Sequence, residues 1–258
     1  MNRFALIAAV NDKLTLESTL LSSPDIGRID HVIIEEGHKS AAHAYNTGID
    51  KCNTPTIIFA HQDVYFPDGW LDVIESTITT LEKNDIHWGV LGVFGISKEQ
   101  RPVGHVYSTG LSRVLGARFC NPILASTLDE MVLIVKRLPG LRFDEELPGF
   151  HFYGTDICLQ AQTTGMSCFV IPAFCIHNSN GVAILPVDFW KAYFYIRRKW
   201  HIHLPVTTTC VKVTKGFGPL YRYAIRAVVG KLAGRHVIGH RVENPAALYN
   251  ALCSKRAL

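Results

Sequence analysis

Residues 57–70 read IIFAHQDVYFPDGW. The apolar start, part of the longer run TPTIIFA at residues 54–60, predicts a strand covered on both faces and not an alternating half-exposed one. The run stops at His61, Gln62 and Asp63, so the strand carries a histidine and an acid to the rim of its sheet. Pro67 then marks a turn into a helix opening at Asp68 or Gly69. Asp63 has two readings at this level: a turn-capping acid, or a ligand for a divalent ion that in turn binds a diphosphate.

The neighbouring segments repeat the pattern. FALIAAV at residues 4–10, HVIIEE at 31–36 and residues 88–94 read as further strands. Between them, residues 12–21 form a helix with Asn11 or Asp12 as its cap, and residues 40–49 form an alanine-rich, closely packing helix. A third helix carries the stripe Leu71, Ile74, Ile78 and Leu81. This strand–helix alternation predicts an α/β domain: a mostly parallel central sheet with helices on both faces. Ligands of such sheets bind beyond the carboxyl ends of the strands. Attention therefore falls on Val10-Asn11-Asp12, Glu35-Glu36-Gly37 and His61-Gln62-Asp63.

The second half is less regular. Pro102, Gly104, Gly110 and Gly116 make residues 96–127 read as long loops. A strand at residues 131–136, a helix at 156–164, a strand at 167–171 and an aromatic-rich helix at 186–200 follow.

Several function classes drop out. No G-x-x-x-x-G-K-[ST] loop is present, the first strand ends in Val-Asn-Asp and not G-x-G-x-x-G, and no G-x-S-x-G elbow occurs. The apolar runs at residues 4–10 and 168–176 are far shorter than the roughly 20 residues of a membrane span. Asn11-Asp12-Lys13 follows the first run without a small-residue cleavage site, so no export signal is expected. Seven scattered cysteines with no C-x-x-C spacing predict reduced thiols used as small core residues, a cytoplasmic setting and no structural zinc.

Net charge is +4, but it is unevenly spread. From residue 206 onward nine lysines and arginines face the single acid Glu243, so the chain before it is net acidic. We therefore expect a main domain over residues 1–205 and a basic, helical extension over 206–258. In the extension, Leu220, Tyr223, Ala227 and Val228 interleave with Arg222, Arg226, Lys231 and Arg235. That pattern fits either a packed C-terminal helix or peripheral contact with a membrane surface. No nucleic-acid-binding signature accompanies the basic run, so no nucleic-acid partner is expected.

Two more stretches carry candidate chemistry. Phe150-His151-Phe152-Tyr153-Gly154-Thr155-Asp156 precedes a helix, and Asp156 reads equally as a first-turn acid or as a desolvated carboxylate suited to general-base work. Ile176-His177-Asn178-Ser179 places a histidine just past a strand, where it can meet an acid from another strand end.

Taken together, ALIAAVND, HVIIEEGHKSAAHAYNTGI, TIIFAHQDVYFPDGW, WGVLGVFG, LDEMVLIVKR, LRFDEELPGFHFYGTDICLQAQTTG and FCIHNS resemble the family 2-type glycosyltransferases of the GT-A fold, over about residues 4–205. The resemblance implies a GT-A-like, Rossmann-type sheet and transfer of a hexose from a nucleotide-diphosphate sugar, UDP-linked in preference, with inversion. The implied acceptor is a glycan or lipid-linked glycan of surface polysaccharide synthesis. It places the nucleotide near Ala8, Val10 and Asp12, a carboxylate of Glu35 or Glu36 at the base, Asn46 and Gln62 nearby, and Mn²⁺ or Mg²⁺ on Asp63, His177 and His61. Asp156 matches the acid that deprotonates the acceptor. The usual Asp-any-Asp motif is His61-Gln62-Asp63 here, which leaves one carboxylate for the ion. Two other readings stand beside this one: a sugar nucleotidyltransferase, which would need a glycine-rich basic loop near the N-terminus, and a catalytically degenerate glycan-binding or assembly module.

Overall fold

The first apolar run forms β1 (Phe4–Val10), whose alternate side chains enter two separate cores. Ala5 and Ile7 face one and Phe4, Leu6, Ala8 and Val10 the other, as a strand covered on both faces requires. The computed structural model describes residues 3–181, 185–218, 220–225 and 239–254. In it β1 pairs in parallel with β2 (His31–Glu36) and β3 (Thr56–Ala60), Val10 lying beside Glu36. The carboxyl ends of these strands therefore open at one edge.

Helices cover both faces. A short α1 (Lys13–Thr15), continuing as a wider turn over Leu16–Leu20, packs on the same side as α3 (Trp70–Lys83), which buries Trp70, Leu71, Ile74, Ile78 and Leu81. On the other side lie α2 (Ala41–Asp50), capped by the Ser40 hydroxyl, α4 (Tyr153–Thr163) and α5 (Val187–Lys199).

The remaining strands are β4 (Val64–Tyr65), β5 (Trp88–Gly92), β6 (Phe94–Ser97), β7 (Pro102–Ser108), β8 (Arg113–Gly116), β9 (Ile123–Leu128), β10 (Val132–Lys136), β11 (Ser167–Val170) and β12 (Cys175–His177). The order is β2-β1-β3-β10-β5-β11-β9-β6-β7-β12-β4, with β8 on β7. From β2 to β11 every strand except β10 runs in one direction, the mostly parallel centre expected from the alternation. Beyond β11 the sheet continues through antiparallel pairs as far as β7, then through a parallel β7–β12 pair, and curls back until β12 meets β4 in an antiparallel pair.

That second half corrects the sequence reading: β6, β7, β8 and β9 occupy residues 96–127, expected to be loops. The glycines that suggested loops mark close backbone approach instead. A Cβ on Gly104 would lie 2.4 Å from the Phe94 ring, and one on Gly116 would lie 2.0 Å from the Gly104 carbonyl oxygen.

After α5 the chain makes a small hairpin, β13 (Val206–Thr207) with β14 (Lys212–Val213), tied to β9 where Thr127 Oγ1 donates to the Thr207 carbonyl at 2.7 Å. Residues 220–225 are helical, and the remainder of the amphipathic helix expected over 220–235 lies outside the described residues. Residues 239–242 then run along the β7–β12 edge, and α6 (Pro245–Ser254) closes the described chain. No described helix is long and apolar enough to cross a membrane. Of the seven cysteines, Cys52, Cys158, Cys168 and Cys175 are buried, and all seven are free thiols.

Candidate functional site

The end of β3 and the curl of the sheet build the site. In the antiparallel β4–β12 pair His177 lies opposite Val64, and the Asn178 amide donates to the Asp63 carbonyl at 2.7 Å. Residues 114 positions apart in sequence are thus held side by side by backbone bonds. The His177 Nε2 lies 3.4 Å from Asp63 Oδ1, and His61 joins them, so that one donor atom from each of the three lies within 4.8 Å of the others.

Burial alone would raise the Asp63 pKa, but the His177 and His61 rings and the Arg241 guanidinium outweigh it and hold the carboxyl well below its usual range. Burial lowers the His61 pKa against the pull of Asp63, which favours the neutral imidazole. Its tautomer follows from the surroundings. Tyr153 Oη donates to the Glu130 carbonyl at 3.0 Å, so its lone pair accepts from His61 Nε2–H at 2.8 Å. The Nδ1 of His61 is left with a free lone pair. Two imidazoles and a carboxylate form a mixed nitrogen–oxygen donor set that fits Mn²⁺ better than Mg²⁺, which prefers oxygen ligands alone.

A cavity of about 610 Å³ extends from this cluster across the ends of β3, β1 and β2. Ala9, Val10, Glu35, His38, Gln62 and His151 are among its walls. Gln62 ties two strand ends together: its Oε1 accepts from the Asn11 and Asp12 amides at 3.0 and 3.1 Å. Glu35 is 4% exposed and holds Lys51 at 2.6 Å and His38 at 3.0 Å, whereas Glu36 is exposed and pairs with Lys13. Both acids line the cavity.

Three residues named from the sequence do not line the cavity with their side chains. Ala8 points into the core and its neighbour Ala9 faces the cavity, a consequence of strand alternation. Asp12 caps α1, accepting from the Leu14 and Thr15 amides and from the Thr15 hydroxyl at 2.6 Å. Asn46 spends its amide on the Phe143 backbone and on Glu145, pinning that loop to α2.

Asp156, the base implied by the resemblance, lies outside the cavity. It is 1% exposed, on the first turn of α4. Its Oδ1 accepts from Trp200 Nε1 at 2.7 Å, its Oδ2 from Gln160 and from Lys199 at 2.6 and 2.9 Å. Both oxygens hold α4 against the end of α5.

The sequence reading missed four participants. Tyr153 and His151 lie in the same motif as Asp156, where the acid drew attention away from them. His151 lines the cavity with its ring edge-on to Phe189; burial lowers its pKa, although Asp188 pulls the other way. Phe152 between them adopts φ 66°, a left-handed conformation unusual for a bulky residue, and it turns the chain into α4. Glu130 lies beneath that turn, its carboxyl pushed up to about 8 by burial and by neighbouring Asp129. Arg241, from the basic extension, reaches Asp63 with no signal in its local sequence.

A profile of the family described as "Glycosyltransferase like family" matches residues 5–193. Among curated proteins, "ATP synthase subunits region ORF 6" of Fuscovulum blasticum is 32% identical over 141 residues, 52% of this chain and 56% of that protein. Among solved structures, GalNAc-T7 with UDP, GalNAc and Mn²⁺ superposes with a TM-score of 0.52 at 9% identity, over 88% of this chain and 55% of that one. The mannosyltransferase PcManGT of Pyrobaculum calidifontis, with GDP-Man and Mn²⁺, gives 0.50 at 13% identity, over 99% and 80%. The chain thus spans about half the length of the curated relative and of GalNAc-T7. Identities this low establish a shared GT-A fold and nothing finer.

Proposed function

The chain belongs to the glycosyltransferase-like family, and from that premise we propose that it transfers a hexose, with inversion, from a nucleotide-diphosphate sugar to a hydroxyl of a glycan or lipid-linked acceptor. The observation that carries the reading is the position of the His61–Asp63–His177 cluster at one end of a cavity whose other end is lined by Glu35, Glu36 and His38. A nucleotide laid along that cavity puts its base near the acids and its diphosphate at the cluster. UDP is the favoured donor nucleotide, with a carboxylate opposite the ring N–H of the base. Mn²⁺, when bound by His61, Asp63 and His177, supplies the positive charge that the departing diphosphate requires.

The protein's own groups do the rest. Tyr153 keeps the His61 lone pair turned away from itself, and Gln62 fixes the strand ends on which the nucleotide rests. Deprotonation of the acceptor falls to His151: it lines the cavity and burial keeps it neutral at pH 7, so its imidazole nitrogen can take the hydroxyl proton. Residues 1–205 form the catalytic unit in this reading, and 206–258 an extension to it. Phe194, Phe217 and Tyr221 are exposed near Arg197, Arg198 and Lys215, which suits peripheral contact with an anionic membrane carrying the acceptor. A role in surface polysaccharide synthesis on the cytoplasmic side follows from such an acceptor.

The test is a panel of UDP- and GDP-sugars incubated with the protein and MnCl₂, with release of the nucleoside diphosphate as readout. Release from one donor class, abolished by chelation, is expected. Binding of donors without any release, in the presence of acceptor extracts, would favour the degenerate binding module. Pyrophosphate formed from a nucleoside triphosphate and a sugar phosphate would favour the nucleotidyltransferase.

A further inference from the structure

The cluster that would hold the ion contains one carboxylate, and the chain brings a second cation to it from far away in sequence. Residues 239–242 are laced to the edge of the sheet by bonds that do not involve the Arg241 side chain. The Gly239 amide donates to the Gly110 carbonyl at 3.0 Å, and the Gly181 amide donates to the Gly239 carbonyl at 2.9 Å. A Cβ on Gly239 would fall 1.9 Å from the Thr109 carbonyl oxygen, so only glycine passes there. Asn178 grips the next turn of chain through both ends of its amide, accepting from the Val242 amide at 2.8 Å and donating to the Val242 carbonyl at 2.9 Å. Asn178 directly follows His177, so the residue beside a metal ligand is also the anchor of the extension.

The guanidinium is aimed by neutral oxygens. Its Nε donates to the Asn178 carbonyl at 3.1 Å and its Nη1 to the Thr15 hydroxyl at 2.7 Å. The two acids beside it receive only one long contact each: Asp12 Oδ2 at 3.4 Å from Nη1 and Asp63 Oδ2 at 3.4 Å from Nη2. A guanidinium serving a structural ion pair makes short, paired bonds of about 2.7–2.9 Å to one carboxylate. Here the charge is held next to two acids and is committed to neither, and one Nη2 proton has no acceptor among the described residues. A planar fork with donors to spare beside a metal cluster has the geometry that recognises phosphate oxygens.

We infer that Arg241 is the second cation of the donor site, binding the diphosphate of the nucleotide together with the ion and compensating for the single carboxylate at residues 61–63. The basic extension is then part of the donor site. The inference deepens the proposed function and rests on it.

Calorimetry of UDP and of GDP, each with saturating MnCl₂, on the wild-type chain, Arg241→Gln and Arg241→Lys tests it. Mn²⁺ binding without nucleotide and thermal melting are measured in parallel. For the diphosphate that binds wild type, Arg241→Gln is expected to weaken affinity about 10- to 100-fold, the range of a lost charge-assisted bond. Arg241→Lys should recover part of that loss. Mn²⁺ affinity alone should stay level or rise, because a like charge has been removed, and melting should be unchanged. Diphosphate affinity equal to wild type overturns the inference. Tighter diphosphate binding also overturns it, marking Arg241 as a plug in the diphosphate's place, as does a parallel loss of Mn²⁺ affinity and melting temperature, which marks a structural role. A wild-type chain that binds neither diphosphate overturns the proposed function itself, an outcome separable from the others.

Discussion

The hydroxyl of Tyr153 lies 2.8 Å from Nε2 of His61 and donates its own hydrogen bond to the Glu130 carbonyl. This relay decides which nitrogen of His61 can bind a metal. Partners of this kind, one shell out from the ion, commonly change metal affinity by about 10- to 100-fold. Tyr153→Phe should therefore weaken Mn²⁺ binding by about that factor, at a cost in stability of only about 1 kcal/mol for one lost hydrogen bond. A Mn²⁺ titration giving the wild-type affinity for Tyr153→Phe would dismiss the relay.

Asp156 and His151, five residues apart, should respond in opposite ways. Asp156→Ala leaves Lys199 and Trp200 without a shared partner in a buried site. A loss near 3 kcal/mol is expected in denaturant unfolding, with UDP affinity of the folded fraction intact. His151→Gln should leave stability nearly unchanged and lower turnover by about 10²–10⁴-fold, the usual worth of a general base. It should also remove the acid limb of the pH–rate profile, which in wild type lies below the ordinary histidine value of 6.5 because burial disfavours the charged ring. Should turnover collapse for Asp156→Asn while unfolding is unaffected, the assignment of the two residues is reversed.

Glu130 sets a pH dependence of stability. Its carboxyl titrates near 8 in the folded chain against an ordinary 4.5. Between those values the folded state holds more protons than the unfolded state, so this group's contribution makes stability fall as pH rises from about 4.5 to 8, and level off above. Glu130→Gln, which stays neutral, should lack that slope. Unfolding curves at pH 5, 6.5 and 8 for both chains check it; identical slopes would contradict the assignment.

How far the sequence could be read depended on where the controlling contacts lie. The central strands were legible because their apolar runs are local, and the turn at residues 61–63 was legible because it ends such a run. The proximity of His177 to Asp63 was expected from a family pattern, and its cause is the β4–β12 pair. The strands over residues 96–127 were hidden because Gly104 and Gly116 read locally as breaks, whereas tertiary packing uses them as points of contact. The role of Asp156 was open for a related reason. A first-turn acid near aromatic residues has the same local appearance whether it faces a cavity or Lys199 and Trp200, and those partners lie 43 and 44 residues away. Arg241 was illegible altogether, since nothing near it in the chain indicates Asp63, 178 positions earlier.

The central claim is that His61, Asp63 and His177 hold a divalent ion through which a nucleotide diphosphate is bound. Its most direct measurement is the free Mn²⁺ resonance signal during titration with the protein, with and without UDP or GDP, for wild type and for Asp63→Asn. One ion per wild-type chain is predicted, held more tightly when the diphosphate is present, with both effects lost in Asp63→Asn. An unchanged ion count and unchanged nucleotide coupling in Asp63→Asn would place the metal elsewhere and contradict the account.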